Sequence, residues 1–419
     1  EKICDESLVE FYLSSYISGS KTIFKNLKKI EPGQLAIYNK LNNSLIKKNY
    51  FDYCPKTKIG ISNDINKHFE NLDKIIDRIF SKIIKESKNR TIWVPLSGGL
   101  DSRFILSKLV SLGCKNLYSF SYGPRGNYEA QQAKKVSSIL NVPWIFVKTG
   151  SRQARNLYLS KERTRYWDFS SGYYSLPSMM EFEAIYKLKT KNILNKDSII
   201  INGQTGDFVT GGHIPSIFKE RIKSEDLVKF IIKKHYSVWK SDLTSISTEI
   251  IKNKIFKYLN LKKNQVLSLN EFASLFEKWE WYSRQSMSIS GGQKLYDFYG
   301  YSWRLPFWDI NLVNFFMNLP IELKKNQSLF KAYLKNYNYK NLFLNYKSES
   351  RRWKLRQLLF LKPISFIIKK LGFNNQKLYQ YFSYWSHYHN QYSFYGIKFF
   401  FKHIGRAVVP PEARGVIAL

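Results

Sequence analysis

The stretch from Thr91 to Leu112 constrains the fold more than any other. A mostly apolar run, Thr91–Leu96, leads into Ser97-Gly98-Gly99-Leu100-Asp101-Ser102 and then a helical pattern from Leu100 to Leu112. A short apolar run closed by glycines reads as a buried strand, and the 3.6-residue spacing after it as a helix. Two glycines at such a turn let the backbone approach an anion, and their N–H groups form a concave nest beside a positive helix N-terminus. Ser97 and Ser102 each add a hydroxyl donor. Asp101 conflicts with a simple anion site, because carboxylate and phosphate repel. A bridging Mg²⁺ resolves the conflict, since hard cations take carboxylate and phosphate oxygens together. Ser and Asp would also serve as ordinary caps of a strand–helix turn. The complete hexad in this context favours the phosphate reading.

The chain around it alternates. Leu117–Tyr122, Val142–Lys148 and Ser198–Asn202 read as further strands, with helices over Glu129–Leu140 and around Met179–Lys189. Such alternation predicts an α/β fold: a Rossmann-like parallel sheet with right-handed crossovers and flanking helices. Upstream, Ser7 is placed to cap a helix over Leu8–Ile17, and the turn Glu31-Pro32-Gly33 leads into strands Gln34–Tyr38 and Leu45–Phe51. Asn63–Glu86 repeats apolar residues at helical spacing. From about 216 onward the periodicity is mostly helical, as in Leu227–Ile232 and Phe272–Trp281. Neither Gly-x-x-x-x-Gly-Lys-Ser/Thr nor Gly-x-Gly-x-x-Gly occurs, which removes the P-loop and dinucleotide fingerprints.

A second glycine-rich element comes after the fourth of these strands: Asn202-Gly203-Gln204-Thr205-Gly206-Asp207-Phe208, then Gly211-Gly212. Asp101 and Asp207, both at C-terminal ends of parallel strands, are placed to share Mg²⁺ over one triphosphate. Taken alone, Asp207 is equally a turn residue after Gly206.

The first hexad resembles the pyrophosphate-binding loop of the ATP pyrophosphatases, which split ATP between the α and β phosphates, and which implies an adenine nucleotide α-hydrolase-like fold. The second element resembles the Ser-Gly-Glu-Gly-x-Asp-Glu-x-x-x-Gly-Gly loop of asparagine synthetases. The resemblance implies ATP and pyrophosphate binding by Ser97, Gly98, Gly99, Asp101, Ser102, Gly203 and Gly206, and Mg²⁺ binding by Asp101 and Asp207. Gln204 stands at the family's glutamate and Phe208 at its next acidic residue. A Gln neither takes a proton nor pairs with a lysine, so either another group has that role or the acceptor is not aspartate. Arg304-Leu305-Pro306-Phe307-Trp308-Asp309 resembles the family's Arg-x-Pro-Phe-x-Asp helix start. Lys331 and Lys347 fall near two family lysines; Lys347 is the candidate for stabilising charge at the α-phosphate, with Arg351 and Arg352 close by.

Tyr16–Tyr53 resembles the end of a class II glutamine amidotransferase domain. The resemblance therefore divides the chain into 1–60, a remnant of a glutaminase-like domain with a small β portion; 61–350, a synthetase domain; and 351–419, a basic, aromatic-rich extension. The glutaminase needs an N-terminal cysteine where Glu1 stands. Nitrogen is expected from free ammonia, from an external donor, or from glutamine hydrolysed by a preceding part. The implied activity is AMP-forming amidation of a carboxylate. Aspartate is the default acceptor, and a sugar uronic acid or other bacterial carboxylate the alternative.

Composition adds little to this. The 67 Lys+Arg against 32 Asp+Glu give a net charge of +35, which invites nucleic acid or an anionic membrane as partner. The richness in Lys, Ile, Asn, Tyr and Phe is also what an AT-rich genome favours, so there is no strong case for nucleic acid. A tRNA-modifying relative of the same loop family is the alternative from another class. Three scattered cysteines form neither a disulfide framework nor a zinc cluster and fit a reducing, cytoplasmic setting. Residues 351–419 hold twelve Lys and Arg against Glu412 alone. Its aromatics over 379–401 suit peripheral contact with an anionic inner membrane surface, or a helical subdomain completing the core.

Overall fold

The computed structural model describes residues 2–55, 64–123, 125–150, 152–215, 221–236, 244–344 and 370. Lys347, Arg351, Arg352 and, apart from Lys370, the whole of the 351–419 extension lie outside the described residues.

Helix α1 (Asp5–Ser14) starts three residues before the position expected from Ser7. Cys4 is its N-cap residue, and Asp5 and Glu6 in the first turn complement the positive end of the helix dipole. Ser7 is buried inside it. Strands β1 (Gln34–Asn39) and β2 (Ser44–Asn49) form the expected antiparallel hairpin, with Ile37 opposite Ile46. Helix α2 (Ile65–Ser87) begins where Asp64 accepts the Asn66 N–H at 2.9 Å, and its stripe of Leu72, Ile76, Ile79, Phe80 and Ile83 is buried.

The central sheet is built from β3 (Ile92–Pro95), β4 (Leu117–Gly123), β5 (Trp144–Lys148) and β6 (Ile199–Ile201), completed by β9 (Ser302–Arg304). Between β6 and β9 in sequence lies a small antiparallel pair, β7 (Arg221–Lys223) and β8 (Val266–Ser268). The sheet order is β5-β4-β3-β6-β9, and every neighbouring pair is parallel. Alternation along β3 sends Ile92 and Val94 to one face, with α2 and helix α3 (Leu100–Ser111). Trp93 points the other way, with Ile200, against Tyr166, Phe182 and Ile185 of the helices Lys161–Ser170 and Phe182–Thr190. Burial on both faces explains why these strands read as continuous apolar runs. The α/β architecture, helices on both sides of a parallel sheet, is as the alternation implied, with helix α4 (Tyr128–Leu140) crossing from β4 to β5.

The α-helix Leu269–Glu280 opens on a capping box, Ser268 with Glu271, and passes without a break into a nine-residue π-helix, Trp281–Ile289. A 3₁₀ turn, Ser290–Gln293, and the helix Lys294–Tyr299 come next. No helix among the described residues is long and apolar enough to cross a membrane.

Candidate active site

Strands β3 and β6 are neighbours, yet β4 lies on the far side of one and β9 on the far side of the other. The strand order reverses between them, and in open α/β sheets ligands bind in the crevice at the carboxyl ends of such a pair. Both glycine loops leave the sheet there.

In the first loop, Ser102 Oγ accepts the Ser97 N–H at 3.0 Å and lies 3.0 Å from Ser97 Oγ. Ser97 Oγ in turn accepts the Gly99 N–H at 3.1 Å. The two hydroxyls therefore tie the turn to the first turn of α3. A Cβ on Gly98 would lie 3.2 Å from Glu129 Cα, so α4 closes on the loop where only hydrogen fits comfortably. Arg103, buried in α3, donates to Gly98 O at 3.3 Å and to Leu342 O at 2.8 Å.

The second loop packs directly on the first through Asp101. A Cβ on Gly203 would sit 3.2 Å from Asp101 Cβ and from Ser102 N, and one on Gly206 only 2.6 Å from the Asp101 carboxyl. These two glycines are what lets the aspartate stand between the loops. Enclosure pushes the Asp101 carboxyl well above the usual carboxylate range, the nearby Asp207 adds to this, and a hydrogen bond from the Asp207 N–H opposes it. Asp101 Oδ1 is enclosed without a hydrogen-bond partner among the described residues. Asp207 is exposed, and its Oδ1 accepts from Gln327 Nε2 at 3.2 Å. An orphaned carboxylate oxygen beside a second carboxylate is the donor chemistry of a hard divalent cation, so the residues fit Mg²⁺. No cluster of three or more His, Cys, Asp or Glu that would hold a metal by itself occurs among the described residues. Phosphate and water oxygens suit the remaining positions of Mg²⁺.

Gln204, between these glycines, accepts from Gln293 Nε2 at 2.6 Å. Its partner is thus another neutral amide, supplied from the end of the 3₁₀ turn. Asn202 Oδ1 accepts the Gln204 N–H at 2.9 Å. Thr205 stands in the left-handed region, φ 73°, where a β-branched residue is strained. Lys331 is exposed and donates to Asn326 O at 2.7 Å. Asp309 accepts the Asn311 N–H at 2.9 Å and caps the helix Ile310–Met317, the helix start read from sequence. Sequence reasoning misses Gln293, Asn202 and Arg103 as members of the site. Only Asn202 carries a signal, as the first residue of an Asn-Gly turn.

Fold and site together define an open α/β protein with paired glycine loops and two carboxylates at the switch point of a parallel sheet, the position at which such sheets bind their ligands. The sequence model described as Asparagine synthase matches residues 88–342, more than half the chain, and the chain belongs to the asparagine synthase family, whose members carry out ATP-dependent amidation. The match opens just before β3 and closes at Leu342, the residue Arg103 ties to the first loop. No curated protein matches the chain.

Proposed function

We propose that the protein is an AMP-forming carbon–nitrogen ligase that uses Mg·ATP to amidate a carboxylate. An oxygen of the acceptor attacks the α-phosphorus, the bond to the bridging oxygen breaks, and pyrophosphate leaves on the nest formed by Ser97, Gly98, Gly99 and Ser102. A nitrogen nucleophile then attacks the acyl carbon, loses one proton, and AMP departs. Asp101 and Asp207 would hold Mg²⁺, which neutralises phosphate charge when bound. The observation that carries this reading is Asp101, wedged between two glycine loops with an oxygen left unpartnered.

Lys347 is proposed to meet charge at the α-phosphate. In support, Leu342 is tethered to the first loop by Arg103, and five further residues reach at most about 17 Å. Gln204, bonded to Gln293 rather than to a cation, is proposed to orient the acceptor through its amide and not to take a proton. Aspartate is the default acceptor, with a sugar uronic acid next. Nitrogen is proposed to come as ammonia, free or glutamine-derived, and the working setting to be the cytoplasm. The division at 60 and 350 belongs to the same proposal.

The test is pyrophosphate release with Mg·ATP, ammonium or glutamine, and a panel of carboxylates. One carboxylate should give acceptor-dependent release, and Asp101→Asn should lower it at least about 100-fold. No release with any acceptor, or full activity in Asp101→Asn, would overturn the reading.

A further inference from the structure

Behind the second loop lies a buried carboxylate that the proposed reaction does not use. Glu181 opens the helix Phe182–Thr190 and is 8% exposed. Its Oε1 accepts from Asn202 Nδ2 at 3.2 Å, and its Oε2 from the Tyr296 hydroxyl in a short bond. The Tyr122 hydroxyl also donates to it, and Asn202 Nδ2 lies 3.0 Å from the Tyr296 hydroxyl oxygen. All these donors are neutral, and burial pushes the carboxyl up. A neutral acceptor would cost the fold less, so the carboxylate calls for a reason.

Acceptor capacity supplies one. An ionised carboxylate only accepts, at both oxygens, whereas an amide or hydroxyl can present a donor as well. Facing Glu181, the Asn202 amide has one workable orientation: nitrogen toward the carboxylate and oxygen toward the Gln204 N–H, which it accepts at 2.9 Å. A flipped amide would set oxygen against carboxylate and NH₂ against N–H. Fixing that flip fixes the turn 202–204, and with it the approach of Gly203 and Gly206 to Asp101.

We propose that Glu181 is a positioning residue that locks the Asn202 amide, and through it the second glycine loop, in the orientation the Mg·ATP site requires. Its effect on turnover rests on the ligase reading; the lock itself does not. The negative charge sits at a helix N-terminus, where the dipole lowers the cost of keeping it.

A polarity swap tests the lock. Glu181→Gln allows the amide pair to flip. Asn202→Asp sets two carboxylates face to face. The double variant E181Q/N202D reverses the first bond and keeps the second: the amide introduced at 181 donates to the carboxylate introduced at 202, which still accepts the Gln204 N–H. Hydrogen–deuterium exchange over residues 199–210 should rise about tenfold in each single variant and return to within about threefold of wild type in the double. Pyrophosphate release should change in the same order, with kcat/KM recovering in the double. Singles that exchange like wild type, or a double no better than the singles, would overturn the lock whatever the activity. Restored exchange without pyrophosphate release in any of the four proteins would leave the lock standing and remove the ligase reading alone. A role limited to packing would not be rescued by swapping polarity.

Discussion

Glu280 ends the helix that runs into the π-helix, and Glu181 meets Tyr296 of the helix that comes after it. Glu280 is fully buried and gathers His213 Nδ1 at 2.6 Å, Lys234 Nζ at 3.0 Å, Gln285 Nε2 at 3.0 Å and Arg284 at 3.8 Å. Burial works against its charge, but His213, His235 and Lys234 hold the carboxyl well below the usual range. Glu181 is buried almost as deeply, has no cation among its hydrogen-bond partners in the described residues, and is shifted the other way. Burial alone does not decide which way a buried acid is shifted; the partners do. The difference also separates two uses. Glu280 joins the loop of His213, the helix Ser224–His235 and the π-helix into one scaffold, while Glu181 faces the second glycine loop through a single amide.

The largest expected effect is at the scaffold. Glu280→Gln leaves Lys234, Arg284 and His213 around a neutral amide and should cost about 3–5 kcal/mol in urea unfolding. Glu181→Gln should cost about 1 kcal/mol while disturbing the loop. Equal losses in the two would break the comparison.

A cation among neutral acceptors extends it. Lys29 bonds Gly19 O and lies 3.2 Å from Met287 Sδ, and burial lowers its ammonium to about 7. Between pH 7 and the ordinary lysine value the folded chain carries fewer protons than the unfolded chain. Stability therefore rises with pH through that window, and the cost of charging Lys29 is fully present below it. Lys29→Met should raise stability near pH 6 by about 2 kcal/mol, discounted for partial exposure, and by far less near pH 10. Thermal unfolding at the two pH values checks this, and equal gains at both would refute it.

The smallest effect is local. Thr205→Gly removes the left-handed strain at φ 73° and should raise stability by about 1 kcal/mol in the same unfolding assay. No gain would mean that the loop bears no strain there.

How much of the fold and site is legible in the sequence depends on whether a residue's partners lie near it along the chain. The Ser97–Ser102 turn and its flanking strand and helix are readable because apolar run, glycines and helix are contiguous. Strand β9 escapes because three residues, Ser302-Trp303-Arg304, have no periodicity of their own and join the sheet only through β6. The β7–β8 pair is lost for the same reason, its partners lying on either side of two helices. Asp101 and Asp207 can be named from motifs, but their contact through Gly203 and Gly206 cannot. Glu181, Tyr296 and Gln293 carry no local signal. Their meaning comes from Asn202 and Gln204, 21 to 94 residues away.

The π-helix sets the rotational phase of the chain downstream of it. Trp281–Ile289 bonds one residue wider than an α-helix, as if one residue had been inserted between Glu280 and Gln293. Deleting a single residue from it would restore the tighter pitch and turn the downstream chain by about 100°. Gln293 and Tyr296 would swing away from Gln204 and Glu181 together. Whether Gln293 meets Gln204, and Tyr296 meets Glu181 and Asn202, is thus decided by helix register in a segment that contains neither aspartate.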